Sequence, residues 1–170
     1  PTAYGEIFAR RTKSALEEFS KAGHYYLHMN NDHHRSIDNI SVFTMDISRK
    51  RLNAFLALYD FKDAKSAADR VGITTAAVYN TTREIERLLN VELFQRNPGG
   101  VLASEFASVL AQHIKLAFAE IRHAVDELES ASGGLSGEIV IGASPSAQIY
   151  IVPRTMERIH RKYQDLVVRT

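Results

Sequence analysis

The feature that most constrains this chain is an unbroken apolar stripe in its second half. Ala107, Leu110, Ile114, Ala117, Ile121, Ala124 and Leu128 follow one another at alternating steps of three and four. That spacing is one narrow face of a helix, sustained in the way that helix pairing selects. Ser104 supplies a polar cap and Ser132-Gly133-Gly134 a stop, so the expected helix covers ~28 residues and ~42 Å at ~1.5 Å per residue. A seam this long and apolar needs a partner in water. The expectation is a homodimer or higher homo-oligomer, paired through Leu110, Ile114, Ala117, Ile121 and Leu128.

Ahead of that helix the punctuation is dense. From Ser48, Leu52, Phe55, Leu56 and Tyr59 form one face of a helix that stops near residues 60–62. Asp63 caps a short second helix, AKSAADRV, in which Ala67 and Ala68 permit close packing and which Gly72 ends. Thr74 or Thr75 caps a third, running to about Leu89 with Val78, Ile85, Leu88 and Leu89 inward. Two helices across a tight Gly-containing turn make a helix-turn-helix. The run VELFQRNPGGVLAS then reads as two short extended pieces around an Asn-Pro-Gly-Gly turn, which is a wing.

The flanks differ from this core. Residues 2–22 read as a helix capped by Thr2, with the stripe Phe8, Ala15, Phe19 and Ala22 and a stop at Gly23. Residues 24–47 hold Asn, Asp and four histidines without a sustained period, and are expected to be a linker with a short strand at Ser41 to Asp46. After Gly134 the texture becomes α/β: EIVIGA is a buried-strand run, residues 147–163 are helical apart from an interruption at Pro153, and LVVRT begins a second strand. A parallel βαβ start demands more strands than two, so the sequence is expected to end inside a domain.

Taken in this order, the residues resemble the LysR-type transcriptional regulators over residues 45–170. The similarity rests on Ala67-Ala68, Ile85-Glu86, and Leu89 leading to Leu93-Phe94 and Arg96, then on Gly133-Gly134-Leu135-Ser136-Gly137 with the strand IVIG. Thr75 and Ala76 stand where the family usually has Gln and Pro, Tyr79 stands for Ser, Thr82 for an apolar residue and Asn90 for Gly. The resemblance implies a sequence-specific DNA-binding transcriptional regulator that answers to a small-molecule effector in the full-length protein. Ser144 and Ser146, at the end of the first effector strand, are the residues it points to for that effector.

In a helix-turn-helix the start of the second helix enters the major groove, which makes Thr74, Thr75, Tyr79, Asn80 and Arg83 the candidate readers of double-stranded DNA. Arg83 is the best base reader, since a guanidinium can grip guanine with two hydrogen bonds; its structural alternative is a weak pair with Glu86. Arg49, Lys50 and Arg51, with Arg96 and Asn97 on the wing, are the candidate phosphate holders. Residues 49–96 carry nine Lys or Arg against six acids, a modest local excess, so motif order weighs more than charge. The departures at Thr75, Ala76 and Tyr79 support the alternative, a protein-interaction module that has lost DNA reading.

Other chemistries find little footing. There is no Cys and the net charge is +1, which removes thiolate sites and any global pull toward nucleic acid. His24, His28, His33 and His34 could offer imidazoles, but a polar loop explains them and no metal or other cofactor is expected. GASPS lacks the second Gly of a nucleophile elbow, and no phosphate loop or dinucleotide fingerprint occurs, so no enzyme is expected. Without a membrane span or secretory signal the expected location is the cytoplasm.

The fold expected is mainly α: a helix at 1–23, a linker at 24–47, a winged helix-turn-helix at 48–103, a dimerisation helix at 104–132, a hinge at 133–137 and a truncated α/β effector-domain fragment at 138–170. The first helix also repeats the long one. Laying Thr2 on Ser104, an offset of 102, pairs two polar caps, Tyr4 with Phe106, Ile7 with Val109, Phe8 with Leu110 and Phe19 with Ile121, while Ala9, Lys13, Ala15, Glu18 and Ala22 meet identical residues. Another winged unit ahead of residue 1 is the expectation this similarity raises; chance likeness between amphipathic helices is the bland alternative.

Overall fold

The computed structural model describes residues 2–29, 42–43, 47–132, 137–163 and 166–169. The elements in chain order are α1 (Ala3–Met29), α2 (Arg49–Phe61), α3 (Ala64–Val71), α4 (Thr75–Leu89), β1 (Phe94–Asn97), β2 (Gly100–Ala103), α5 (Glu105–Ala131), β3 (Gly137–Val140), α6 (Pro145–Lys162) and β4 (Leu166–Arg169). They fall into two compact units, residues 12–120 and residues 1–11 with 121–170.

In the unit of residues 12–120, local chemistry sets the helix-turn-helix. Asp63 accepts hydrogen bonds from the Ser66 amide and hydroxyl, both at 2.8 Å, and these bonds hold its carboxyl below the usual range. Gly72 (φ 70°) and Asn90 (φ 53°) close α3 and α4 in the left-handed conformation that Gly supplies freely and Asn tolerates. Leu52, Phe55, Leu58, Ala67, Ala68, Val78, Ile85 and Leu89 form the shared core of α2, α3 and α4. Leu56, Tyr59 and Leu88, expected inward, are only half-buried.

The wing is antiparallel, Phe94 opposite Ala103 and Asn97 opposite Gly100. It is fastened to the end of α2, where the Lys62 carbonyl accepts from the Val101 amide at 2.8 Å. This approach needs Gly100. Its φ is +133°, and a Cβ there would stand 2.2 Å from the Lys62 oxygen.

α1 departs from the sequence reading. It passes through Gly23 to Met29, because Tyr26 is held on several sides: its ring lies 5.6 Å from those of Phe43 and Phe106, and its hydroxyl donates to the Leu89 carbonyl at 2.6 Å. Such packing outweighs the ~1 kcal/mol penalty of a mid-helix Gly. The segment expected to be a linker is therefore partly core, with Tyr26, Val42, Phe43 and Ile47 buried. Val42 and Phe43 lie in a turn, and the rest of the strand expected at Ser41 to Asp46 is outside the described residues.

Within this unit α1 runs antiparallel to α5. Tyr25 donates to Glu105 at 2.7 Å, and Glu18 Oε2 lies 2.8 Å from His113 Nδ1. Burial works to raise the Glu18 carboxyl, but hydrogen bonds from Lys21 and His113 outweigh it and hold it below its ordinary value.

In the unit of residues 1–11 and 121–170 the same two helices again run antiparallel. Arg10 and Arg11 both donate to Glu127, and the Tyr4 hydroxyl donates to the Ala131 carbonyl at 3.3 Å. β3 and β4 pair in parallel, Gly137 opposite Leu166. α6 is continuous, so the break expected at Pro153 does not occur. Val140, Ile149, Tyr150 and Ile151 stand exposed, as a two-stranded parallel sheet with one helix leaves them. The residues of the expected hinge, apart from Gly137, lie outside those described.

Replacing Gly100 by Ala should lower the unfolding free energy by about 2 kcal/mol or more, through strain at positive φ and the clash at Lys62. Gly99→Ala, whose Cβ would meet Asn97 Oδ1 at an ordinary 3.6 Å, should cost less than half of that. Urea unfolding of the two variants measures the difference.

Candidate nucleic-acid interface

α4 offers the candidate reading surface, and its sequence fixes which side faces out. Val78, Thr82, Ile85 and Leu89 are buried, which turns Thr75, Asn80, Arg83 and Arg87 to solvent. Thr82 is accommodated inside because its hydroxyl donates to the Val78 carbonyl at 3.0 Å, leaving the methyl to the core. Thr74 serves as the N-cap of α4: its hydroxyl accepts from the Ala77 amide at 3.2 Å. That assigns it to holding the helix start.

Arg83 makes no hydrogen bond or ion pair among the described residues. The partner weighed for it, Glu86, is committed elsewhere. One oxygen of Glu86 accepts from the backbone amides of Leu93 and Phe94, at 2.8 and 3.1 Å, so that a side chain on α4 ties down the first strand of the wing. Sequence reading marked Ile85-Glu86 as a family position without giving Glu86 this role.

The structure brings two candidates together that the sequence only named separately. The Arg96 guanidinium lies over the Tyr79 ring, 4.0 Å from its centre. A cation on an aromatic face gains about 0.5–1 kcal/mol at an exposed site, and guanidinium N–H groups point along its plane, away from the ring. Arg96 is thus held with its donors at the surface. Arg83, Arg96 and Tyr79 line one cleft of about 320 Å³ between α4 and the wing, together with Glu86 and Glu92.

The other candidates are arranged differently. Arg49 lies over the Phe118 ring of α5 at 5.5 Å, and Arg51 pairs with Glu84 at 3.0 Å, so both are engaged with neighbouring helices. Lys50 is exposed. Asn97 Oδ1 accepts from the Gly99 amide at 3.0 Å and shapes the wing tip. Ser144 and Ser146 are exposed at the start of α6, their hydroxyls 3.1 Å apart. His24 and His28 sit on α1, whereas His33 and His34 lie outside the described residues.

Leu110, Ile114 and Ala117 are fully buried within the single chain, and Ile121 and Leu128 half-buried. In the unit of residues 12–120 both α1, through Tyr25 with Glu105 and Glu18 with His113, and α2, through Asp60 with Lys115, lie against this part of α5.

A family model described as the bacterial regulatory helix-turn-helix protein, lysR family, matches residues 50–108. The chain is 25% identical over 122 residues to the uncharacterized HTH-type transcriptional regulator YfeR of Shigella flexneri, covering 72% of this chain and 40% of that protein. It is 30% identical over 129 residues to the probable RuBisCO transcriptional regulator of Emiliania huxleyi, covering 74% and 39%. Among solved structures it is similar to oxidized OxyR of Corynebacterium glutamicum, at 23% identity and a TM-score of 0.45, over 70% of this chain and 36% of that one. The chain spans about two fifths of the length of these curated relatives.

Glu86→Ala should free two wing amides and cost about 1–3 kcal/mol of stability, the penalty of leaving buried donors unmade. Arg83→Ala, one turn away on the same helix, should change stability by less than about 0.5 kcal/mol. Chemical denaturation of the two variants separates a fastening residue from a free one.

Proposed function

We propose that this chain, whose residues 50–108 match the model of the bacterial regulatory helix-turn-helix protein, lysR family, binds double-stranded DNA sequence-specifically and serves transcriptional regulation. The observation that carries the reading is the pairing of a free Arg83 on the exposed face of α4 with a wing arginine, Arg96, already oriented by Tyr79. Thr75, Asn80 and Arg83 are the residues for base edges. Lys50, Arg96 and the tip at Asn97 are the residues for phosphates, with Arg49 a lesser one because it rests on Phe118. Thr74 acts by capping α4, and Tyr79 by seating Arg96.

Response to a small-molecule effector and assembly into a homo-oligomer belong to the same proposal for the whole protein, with the Ser144 and Ser146 hydroxyls on the effector side. The setting proposed is the cytoplasm, and no described helix is long and apolar enough to cross a membrane.

Duplex-binding measured against salt tests the reading. The logarithm of affinity should fall linearly with the logarithm of salt concentration, and Lys50→Ala or Arg96→Ala should each reduce that slope by about 0.9 while weakening all sequences alike. Arg83→Ala should instead relax discrimination at one base position by about 1–3 kcal/mol. A salt-independent or absent interaction with every duplex tried, in protein that is folded, would favour an interaction module.

A further inference from the structure

α1 and α5 are the same structural element used twice. Each is 27 residues long, and their bounds, Ala3–Met29 and Glu105–Ala131, stand apart by the offset of 102 that aligns their sequences. Their starts match in atomic detail. Thr2 Oγ1 accepts from the Gly5 amide at 3.2 Å, and Ser104 Oγ from the Ala107 amide at 3.2 Å. The Thr2 and Ser104 carbonyls accept from Glu6 and Ser108 at 3.0 and 3.1 Å. The identical residues Ala15 and Ala117, near the middle of each helix, are both fully buried.

Burial breaks the equivalence in one place. The first half of α5 carries the winged helix-turn-helix: Ser104 follows β2 directly, the Lys115 ammonium reaches Asp60 at the end of α2 at 2.5 Å, and Phe118 takes Arg49. There Leu110 is 0% exposed, and Phe106, whose ring also lies 5.6 Å from that of Tyr26 on α1, is 2% exposed. The same positions on α1 are Tyr4 at 47% and Phe8 at 57%, and the position of Phe118 is Leu16 at 42%. Lys13, identical to Lys115, reaches only Glu17 on its own helix, at 4.0 Å. On the other helix of each pair the pattern repeats, since buried Gly23 corresponds to Val125 at 50%.

We propose that the Tyr4, Phe8, Lys13 and Leu16 face of α1 is the seat of a second winged helix-turn-helix unit, joined to Thr2 as β2 is joined to Ser104. Its occupant is defined by the chemistry seen on α5. It presents an acid at the end of its first helix to Lys13, as α2 presents Asp60 to Lys115, and covers the apolar side chains of Tyr4, Phe8 and Leu16. The seat holds whether or not either unit reads DNA.

The test places a cysteine at the seat by Phe8→Cys, with Leu102→Cys as an exposed reference, since residues 1–170 contain no cysteine. Both changes fall on exposed side chains and leave the core intact. Thiol labelling is followed peptide by peptide in the 170-residue chain and in the full-length polypeptide. In the 170-residue chain position 8 should label as fast as position 102, and in the full-length polypeptide about tenfold or more slower than it. Equal rates in both would overturn the proposal. So would protection already present in the 170-residue chain, which would mean a second copy covers the face. A photo-crosslinker at Lys13 gives an independent readout: capture of a helix-turn-helix peptide preceding Thr2 supports the seat, and capture of any other peptide overturns it.

Discussion

Everything around the candidate interface depends on burying the first half of α5. Phe106, Leu110 and Ile114 are apolar side chains on one helix face, and leaving them in water would cost about 1.5–3 kcal/mol each. Two elements share the task. α2 fixes itself to α5 through Asp60 with Lys115 and Arg49 with Phe118, while α1 lays its second half along the same helix through Tyr25, Tyr26 and Glu18. Tyr26 joins these layers. Its ring sits against Phe106 of α5 and its hydroxyl caps Leu89, the last residue of α4. A side chain on α1 therefore positions the far end of the helix proposed to read DNA.

A second set of contacts, each polar and each to backbone, converts this packing into a defined surface. Glu86 holds the Leu93 and Phe94 amides, and the Lys62 carbonyl holds the Val101 amide. Both strands of the wing are thereby anchored, one to α4 and one to the end of α2. A hairpin of two four-residue strands has little stability alone. Tied at both strands, it carries Arg96 to the ring of Tyr79 and keeps it there.

Elements written in neighbouring residues were legible in the sequence. The caps Asp63 and Thr74, the stops Gly72 and Asn90, and the Asn-Pro-Gly-Gly turn act within four residues, so α3, α4 and the wing follow from local chemistry. What was not legible depends on distance along the chain. Gly23 looks like a stop because nothing near it shows Tyr26 packed on residues more than sixty positions away. The seam of α5 implied a partner helix, but periodicity cannot tell a second chain from an earlier segment of the same one. For the candidate site, the exposed face of α4 was readable from its buried face, whereas the wing contact of Glu86 and the turn of Arg49 toward Phe118 required the three-dimensional structure.

The positions where this chain differs from the usual residues of the family it resembles do different things. Thr82 satisfies its hydroxyl on its own helix and Asn90 adopts the left-handed conformation a Gly would, so neither disturbs the frame. Thr75 and Ala76 are exposed in the first turn of α4 and support no core contact. Tyr79 is different. Its ring, at a position where the resemblance would put a Ser, seats Arg96. Residues that hold the scaffold are thus separate from those exposed on it, and such a frame can change what its outer face recognises without being refolded.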